Sequence, residues 1–162
     1  MKLLTALIYF FTFTASFAND FLKMDEFVLR GEALLEVTLF KIDVYRAKLY
    51  HANNDKKVLV LELNYLIDVE KKHSLMGWQE GFKPLDTDLY KNAMNWIYKN
   101  TIDLKKGDKF SIWKKENKVR FYHNQKLTAE SEDPKVSFLV TYPWIGDKPI
   151  DEKIKKNLLG EK

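Results

Sequence analysis

Five apolar residues at strict two-residue spacing, Leu59, Leu61, Leu63, Tyr65 and Ile67, put their side chains on one face of an extended chain. Such a face is buried only when the strand lies in a sheet against a second layer, so this run commits the middle of the chain to a β-sheet. The segment before it, Glu36 to Tyr50, is also strand-like, but its phase changes. Phe40, Ile42 and Val44 share one face, after which Tyr45, Ala47 and Leu49 take the opposite parity. A switch of this kind marks a bulge, a bend or a strand moving between packing layers. His51-Ala52-Asn53-Asn54-Asp55 carries turn residues, so residues 36–67 are expected to form one long antiparallel hairpin.

Helical spacing follows. Val69 and Met76, then Leu75, Trp78 and Phe82, predict a short helix ending near Gly81 to Pro84. Asp86-Thr87-Asp88 offers capping oxygens for a second helix, in which Leu89, Ala93, Trp96 and Ile97 form the buried face. Gly107-Asp108 is a turn. Phe110 and Ile112, then Val119, Phe121 and His123, alternate on either side of Glu116-Asn117 and predict a second hairpin, with Asn124-Gln125 turning into a short strand from Lys126 to Ala129. Asp133-Pro134 reads as a cap and first-turn proline for a helix carrying Val136, Leu139 and Val140, which Pro143 is expected to break. A last helix runs from about Asp151 to Leu159 and stops at Gly160. Strand and helix groups are segregated along the chain, which predicts an α+β domain: an antiparallel sheet with helices packed on one face.

Residues 1–18 stand apart from this pattern. Met1-Lys2, the apolar block Leu3 to Phe11 and the closing Ala15-Ser16-Phe17-Ala18, with small residues three and one before a cut, have the layout of a secretory signal peptide. Thr12 and Thr14 interrupt the apolar block and no stop-transfer charges follow, so the expectation is cleavage, with no membrane span afterwards. Residues 19–162 then form a single domain of 144 residues. Export leads to an oxidising compartment, yet the chain has no cysteine, so neither disulfides nor thiolate metal sites contribute and the core alone must hold the fold.

Several function classes fall away. The 27 basic and 23 acidic residues give a net charge of +4, reduced to +3 without Lys2, and the lysine pairs all have acids close by. That is a solvated lysine-rich surface, and no nucleic-acid footprint is expected. His51, His73 and His123 are widely separated, so no metal site is expected. No phosphate-binding loop, dinucleotide glycine fingerprint or serine elbow is present, and no cofactor is expected.

The ordered set Lys41-Ile42-Asp43-Val44-Tyr45-Arg46-Ala47-Lys48-Leu49-Tyr50, Leu63-Asn64-Tyr65, Gly107-Asp108, Trp144-Ile145-Gly146-Asp147-Lys148-Pro149 and Leu158-Leu159-Gly160 resembles the chalcone isomerase-like family, in particular its exported bacterial branch. The resemblance spans about Gly31 to Gly160. It implies an open-faced β-sandwich, a large antiparallel sheet covered by a helical layer with a ligand cleft between them. In plant enzymes of this family an arginine holds oxyanion charge while a phenolate adds to an enone, and tyrosine, threonine and asparagine position substrate and water. Other members bind fatty acids without catalysis, using the arginine against the carboxylate. Both tasks need a fixed cation, because desolvating an anion is costly unless it is paired.

Carried onto this sequence, the arginine position falls within Ala33 to Val37, where no cation stands. Arg30 fills it only if about three residues are inserted, and beside Gly31 it reads more simply as a surface residue entering a turn. The family's threonine position aligns with Tyr45, otherwise an ordinary sheet aromatic. The helix tyrosine and asparagine align loosely with His73 and Glu80, and His73 otherwise reads as a half-exposed helix residue. Arg46 and Lys48 point to the side opposite Tyr45. Tyr90, Trp96 and Trp144 are expected to pack. The resemblance thus implies an exported, periplasmic, non-catalytic protein that binds a fatty acid or other apolar small molecule through Tyr45, His73 and Arg30. Two alternatives stay open: an isomerase or intramolecular lyase acting on an enone-like substrate with those residues as replacement groups, and an envelope module that docks onto a protein partner.

Overall fold

In the computed structural model, which describes residues 21–37 and 42–161, the alternating run becomes β3 (Leu59–Tyr65). It lies between β2 (Ile42–Ala52) and β4 (Lys109–Lys115), antiparallel to both. With β1 (Phe27–Val37), β5 (Lys118–His123) and β6 (Lys126–Ser131), the described strands form one six-stranded sheet in sequence order, every neighbouring pair antiparallel.

The first strand is the main departure from expectation. Residues 27–37 form their own edge strand, so Glu36 and Val37, expected to open the 36–67 hairpin, belong to β1, and the first strand of that hairpin is Ile42–Ala52. The apolar residues of β1 do not alternate cleanly because its register with β2 shifts twice. One shift leaves Arg30 as an extra residue on β1, between the pairs Leu29↔Tyr50 and Gly31↔Leu49. The other leaves Val44 extra on β2, between Leu35↔Tyr45 and Glu36↔Asp43, where the apolar parity of the sequence changes. Arg30 therefore lies within a strand rather than at a turn, and Gly31 is there because the C-terminal helix crosses over it.

One face of the sheet carries the helices: α1 (Lys71–Phe82), α2 (Thr87–Lys99), α3 (Pro134–Leu139), α4 (Tyr142–Ile145) and α5 (Glu152–Leu159). The main core joins Trp78, Phe82, Ile97, Leu139 and Leu158 of this layer to Leu49, Leu61, Ile112 and Phe121 of the sheet. Asp86, Asp133 and Asp151 cap α2, α3 and α5, their carboxylates accepting backbone N–H bonds at 2.7 to 3.4 Å. Each cap of this type stabilises by about 1 kcal/mol. The buried stripe of α2 runs through Ala93, Met94 and Ile97, while Leu89, in its first turn, is 53% exposed. Pro143 does not end a helix. The break falls earlier, at Val140 and Thr141, and Pro143 sits in the first turn of α4, where a missing N–H costs nothing.

The opposite face is partly covered too. Leu22, Val60 and Tyr122 form a small second cluster, with Met24, Phe27 and Trp113 packed against it. The segment is pinned by Leu22 N–H to the Gln125 carbonyl at 3.1 Å.

The turn before β4 is clasped to the β5–β6 turn by Asp108. Its carboxylate accepts from the Asn124 side chain at 2.9 Å and from the Lys105 backbone N–H at 2.8 Å, and lies 3.0 Å from His123 Nε2. Chiefly through Asn124, these contacts pull its pKa from 3.8 down to about 2. A depressed carboxylate stabilises fully above its unfolded pKa and loses that contribution as pH falls through the folded value. The fold should therefore lose stability at this site between about pH 4 and pH 2. Asp108→Asn should flatten the dependence of Tm on pH in that window, by an amount that solvent screening holds to about 1 kcal/mol. Parallel thermal melts of the two proteins across the window check this, and identical slopes would remove Asp108 from the acid response.

Candidate functional site

The bulge at Val44 brings Tyr45 onto the helical side of the sheet, directly opposite Tyr65 in the β2–β3 ladder. Their ring centroids are 5.4 Å apart at 55°. From the helical layer, Trp144 of α4 donates its indole N–H to the Tyr45 hydroxyl at 2.9 Å. Trp144 is set edge-on against Trp78 of α1, with centroids 5.2 Å apart. The sequence permits this contact through Gly81, where a Cβ would lie 2.6 Å from Pro143 Cβ, so glycine lets α1 close onto α4.

Beside these rings is a cavity of about 600 Å³ between the sheet and α1. Leu35, Val44, Leu63, Ile67, Val69, Ile102, Leu104 and Phe110 supply an apolar wall, with Tyr45, Tyr65 and Trp144 at its aromatic end. Along α1 the wall continues through His73, Ser74, Gly77 and Trp78, and it reaches the surface at Asp68, Met76, Glu80 and Ile150.

Burial pushes the Tyr45 phenol up in pKa, and the Trp144 hydrogen bond offsets this only in part. Burial pushes Tyr65 up as well, with Tyr45 adding to it. Both phenols stay protonated at any physiological pH and act as neutral donors. The Ser74 hydroxyl lies beside Tyr65, near enough to act against that rise, but outside ordinary hydrogen-bond geometry, so its buried oxygen has no partner. At the surface, Asp68 is held below the usual carboxylate range, first by the Lys106 backbone N–H at 2.9 Å and then by the Lys105 ammonium at 3.0 Å. Glu80 pairs with Lys83. Among the described residues no cluster of three potential metal ligands occurs, and no helix is long and apolar enough to cross a membrane.

The three residues singled out from the sequence do not come together. Tyr45 and His73 both line the cavity, Tyr45 buried in its wall and His73 exposed on α1. Arg30 does not. It lies on the edge strand, where its Nε donates to the Leu159 carbonyl at 3.1 Å and satisfies the C-terminal end of α5. Among the described side chains of the stretch where the resemblance seeks a cation, residues 33–36, the one on the cavity wall is Leu35. Sequence reasoning missed Tyr65 and Ser74, and it gave Trp144 packing alone. Tyr65 is the single tyrosine of the alternating run, but pairing it with Tyr45 needs the hairpin register.

A family model described as chalcone isomerase-like matches residues 17–160. No curated protein matches the sequence. The fold is similar to the crystal structure of a fatty-acid binding protein from Arabidopsis thaliana, with a TM-score of 0.64 and 13% identity over 83% of this chain and 87% of that one. At that identity the likeness speaks for the fold, an open antiparallel sheet with helices packed against it. Matched by the family model over most of its length, the chain belongs to the chalcone isomerase-like family.

Proposed function

We propose that this chain is an exported, non-catalytic binder of an apolar small molecule of the lipid or fatty-acid class, held between sheet and helices. The observation that carries this reading is the cavity: about 600 Å³, walled mainly by aliphatic and aromatic side chains, with a few hydroxyls at one end. Small-molecule sites have this size and this mixture of apolar lining and sparse polar groups. The family's catalytic cation has no counterpart among the described lining residues, since Arg30 is committed to α5. The fold's likeness to a fatty-acid binding protein agrees with a binding role. Export to the periplasm is supported by the signal-like residues 1–18 and by the family resemblance.

Native mass spectrometry of the protein purified from its own cell envelope, followed by denaturing extraction, tests both parts. A reproducible apolar molecule released on unfolding is the expected result. An empty protein that also ignores added lipids would remove the binding role, and a protein recovered with residues 1–18 intact would remove processing.

Gly77 offers a sharper check. A Cβ at this position meets nothing within 4 Å. Side chains on a helix lean towards its N-terminus, so one at position 77 would lie over His73 and Ser74, both on the cavity wall. Gly77→Trp should cut ligand affinity by about tenfold or more, while stability stays within about 1 kcal/mol, because the gain in helix propensity offsets an exposed aromatic ring. Titration of an apolar fluorophore together with a thermal melt reads both quantities.

A further inference from the structure

We propose that the cavity selects an uncharged hydrogen-bond acceptor, such as the carbonyl of an ester, ketone, aldehyde or protonated acid, and discriminates against an ionised carboxylate. The inference rests on the binding role proposed above and narrows its ligand.

At the aromatic end of the cavity the Tyr45 and Tyr65 hydroxyls donate to no described residue within hydrogen-bond geometry, and that of Ser74 has no partner. The Trp144 indole can only donate, and it already occupies an acceptor position on Tyr45 Oη. The Tyr45 proton is thus left for another acceptor. Tyr65 stands directly across the ladder with a second phenol, and the Ser74 hydroxyl beside it is buried without a partner. A carbonyl oxygen has two lone pairs and no proton, which is what such a corner lacks.

The charges around the cavity oppose an anion. Among the described lining residues there is no lysine or arginine; the one imidazole, His73, is exposed on α1 beside the Glu70 carboxylate, and the lining carboxylates are Asp68 and Glu80. Lys105 and Lys83 are engaged with these two at the surface, so they balance existing negative charge rather than offering a free cation. An ionised head drawn into the apolar wall would lose its hydration with no cation to replace it, while two phenols and a serine compensate only in part. A neutral carbonyl loses far less hydration and keeps its hydrogen bonds.

The test is displacement of the neutral fluorophore N-phenylnaphthylamine from the mature protein by four matched ligands: dodecane, methyl dodecanoate, dodecanal and sodium dodecanoate. The ester and aldehyde should bind about tenfold tighter than the carboxylate at neutral pH. Dodecanoate affinity should rise as pH is lowered towards the acid's own pKa, in a His73→Gln variant as in the parent, while ester affinity stays level. Tyr65→Phe should weaken ester and aldehyde by about fivefold and leave dodecane unchanged. Tyr45→Phe should do the same, but it also strips Trp144 of its acceptor, so Tyr65→Phe is the cleaner variant. Dodecanoate binding as tightly as its ester at neutral pH would overturn the proposal, as would an ester indifferent to both substitutions. If all four ligands bind alike, the cavity still binds apolar molecules and only head-group selection fails; if none binds, the binding role fails with it.

Discussion

Replacing Gly31 by alanine should cost about 3–5 kcal/mol and release α5 from the sheet. An ideal Cβ at position 31 would lie 2.1 Å from the Asn157 carbonyl oxygen and 2.6 Å from that of Leu158. These are backbone atoms of a helix, with no rotamer to relieve the clash, so the helix must rise or the strand must bend. Either movement pulls Leu158, fully buried, and Ile154 out of the main core. It also disturbs the Arg30 bond to Leu159 and the close seat of Gly160, where a Cβ would be 2.7 Å from the Arg30 carbonyl. Gly107→Ala is the natural control. Its φ of 91° strains any side chain, yet a Cβ there meets nothing within 4 Å, so the cost should be about 1 kcal/mol. Urea denaturation of the two variants separates close approach from backbone strain. A smaller loss at Gly31 than at Gly107 would mean that α5 is not seated on β1.

The same residue shows where sequence reasoning loses its grip. A glycine between Arg30 and Glu32 signals a turn when only local chemistry is read, and the close passage of a helix 126 residues later has no local signature. What was legible depended on short-range periodicity and capping. The first, second and last helices, the Asp86 and Asp133 caps, the hairpin about Glu116-Asn117 and the α+β layering all follow from contacts within a few residues. The parity switch at Val44–Tyr45 even located a bulge. Register was less accessible. Reading the first turn at residues 51–55 centres that hairpin about two residues early, since His51 pairs with Leu59 and Tyr45 with Tyr65. That small slip hides the Tyr45–Tyr65 pair and with it the polar end of the cavity. Trp144 was hidden for another reason: its bond to Tyr45 joins residues 99 positions apart, and only the folded chain brings them together.

Phe121→Ala should lower stability by about 4 kcal/mol, comparable to the loss at Gly31 but by the opposite means, since it opens space instead of overfilling it. Phe121 is completely buried, 5.1 Å from the rings of both Phe110 and Trp96, and so joins β4, β5 and α2. Truncation removes its apolar burial and two aromatic contacts together. The site is poorly able to collapse. The β5–β6 register shifts next to it, between Phe121 and Tyr122, and the Thr128 hydroxyl donates to the Phe121 carbonyl at 3.1 Å, pinning the backbone where it would have to move. Phe110 is the neighbour best placed to lean into the void, and it lines the cavity between sheet and α1. The substitution should therefore enlarge the cavity from its far wall and shift preference towards bulkier apolar ligands, even as the protein melts earlier. Chemical denaturation measures the first effect, and displacement by a branched alkane against a linear one of equal carbon number measures the second. A loss below about 2 kcal/mol with unchanged ligand preference would show that Trp96, not Phe110, closes the gap, and that the core behind the cavity adapts independently of it.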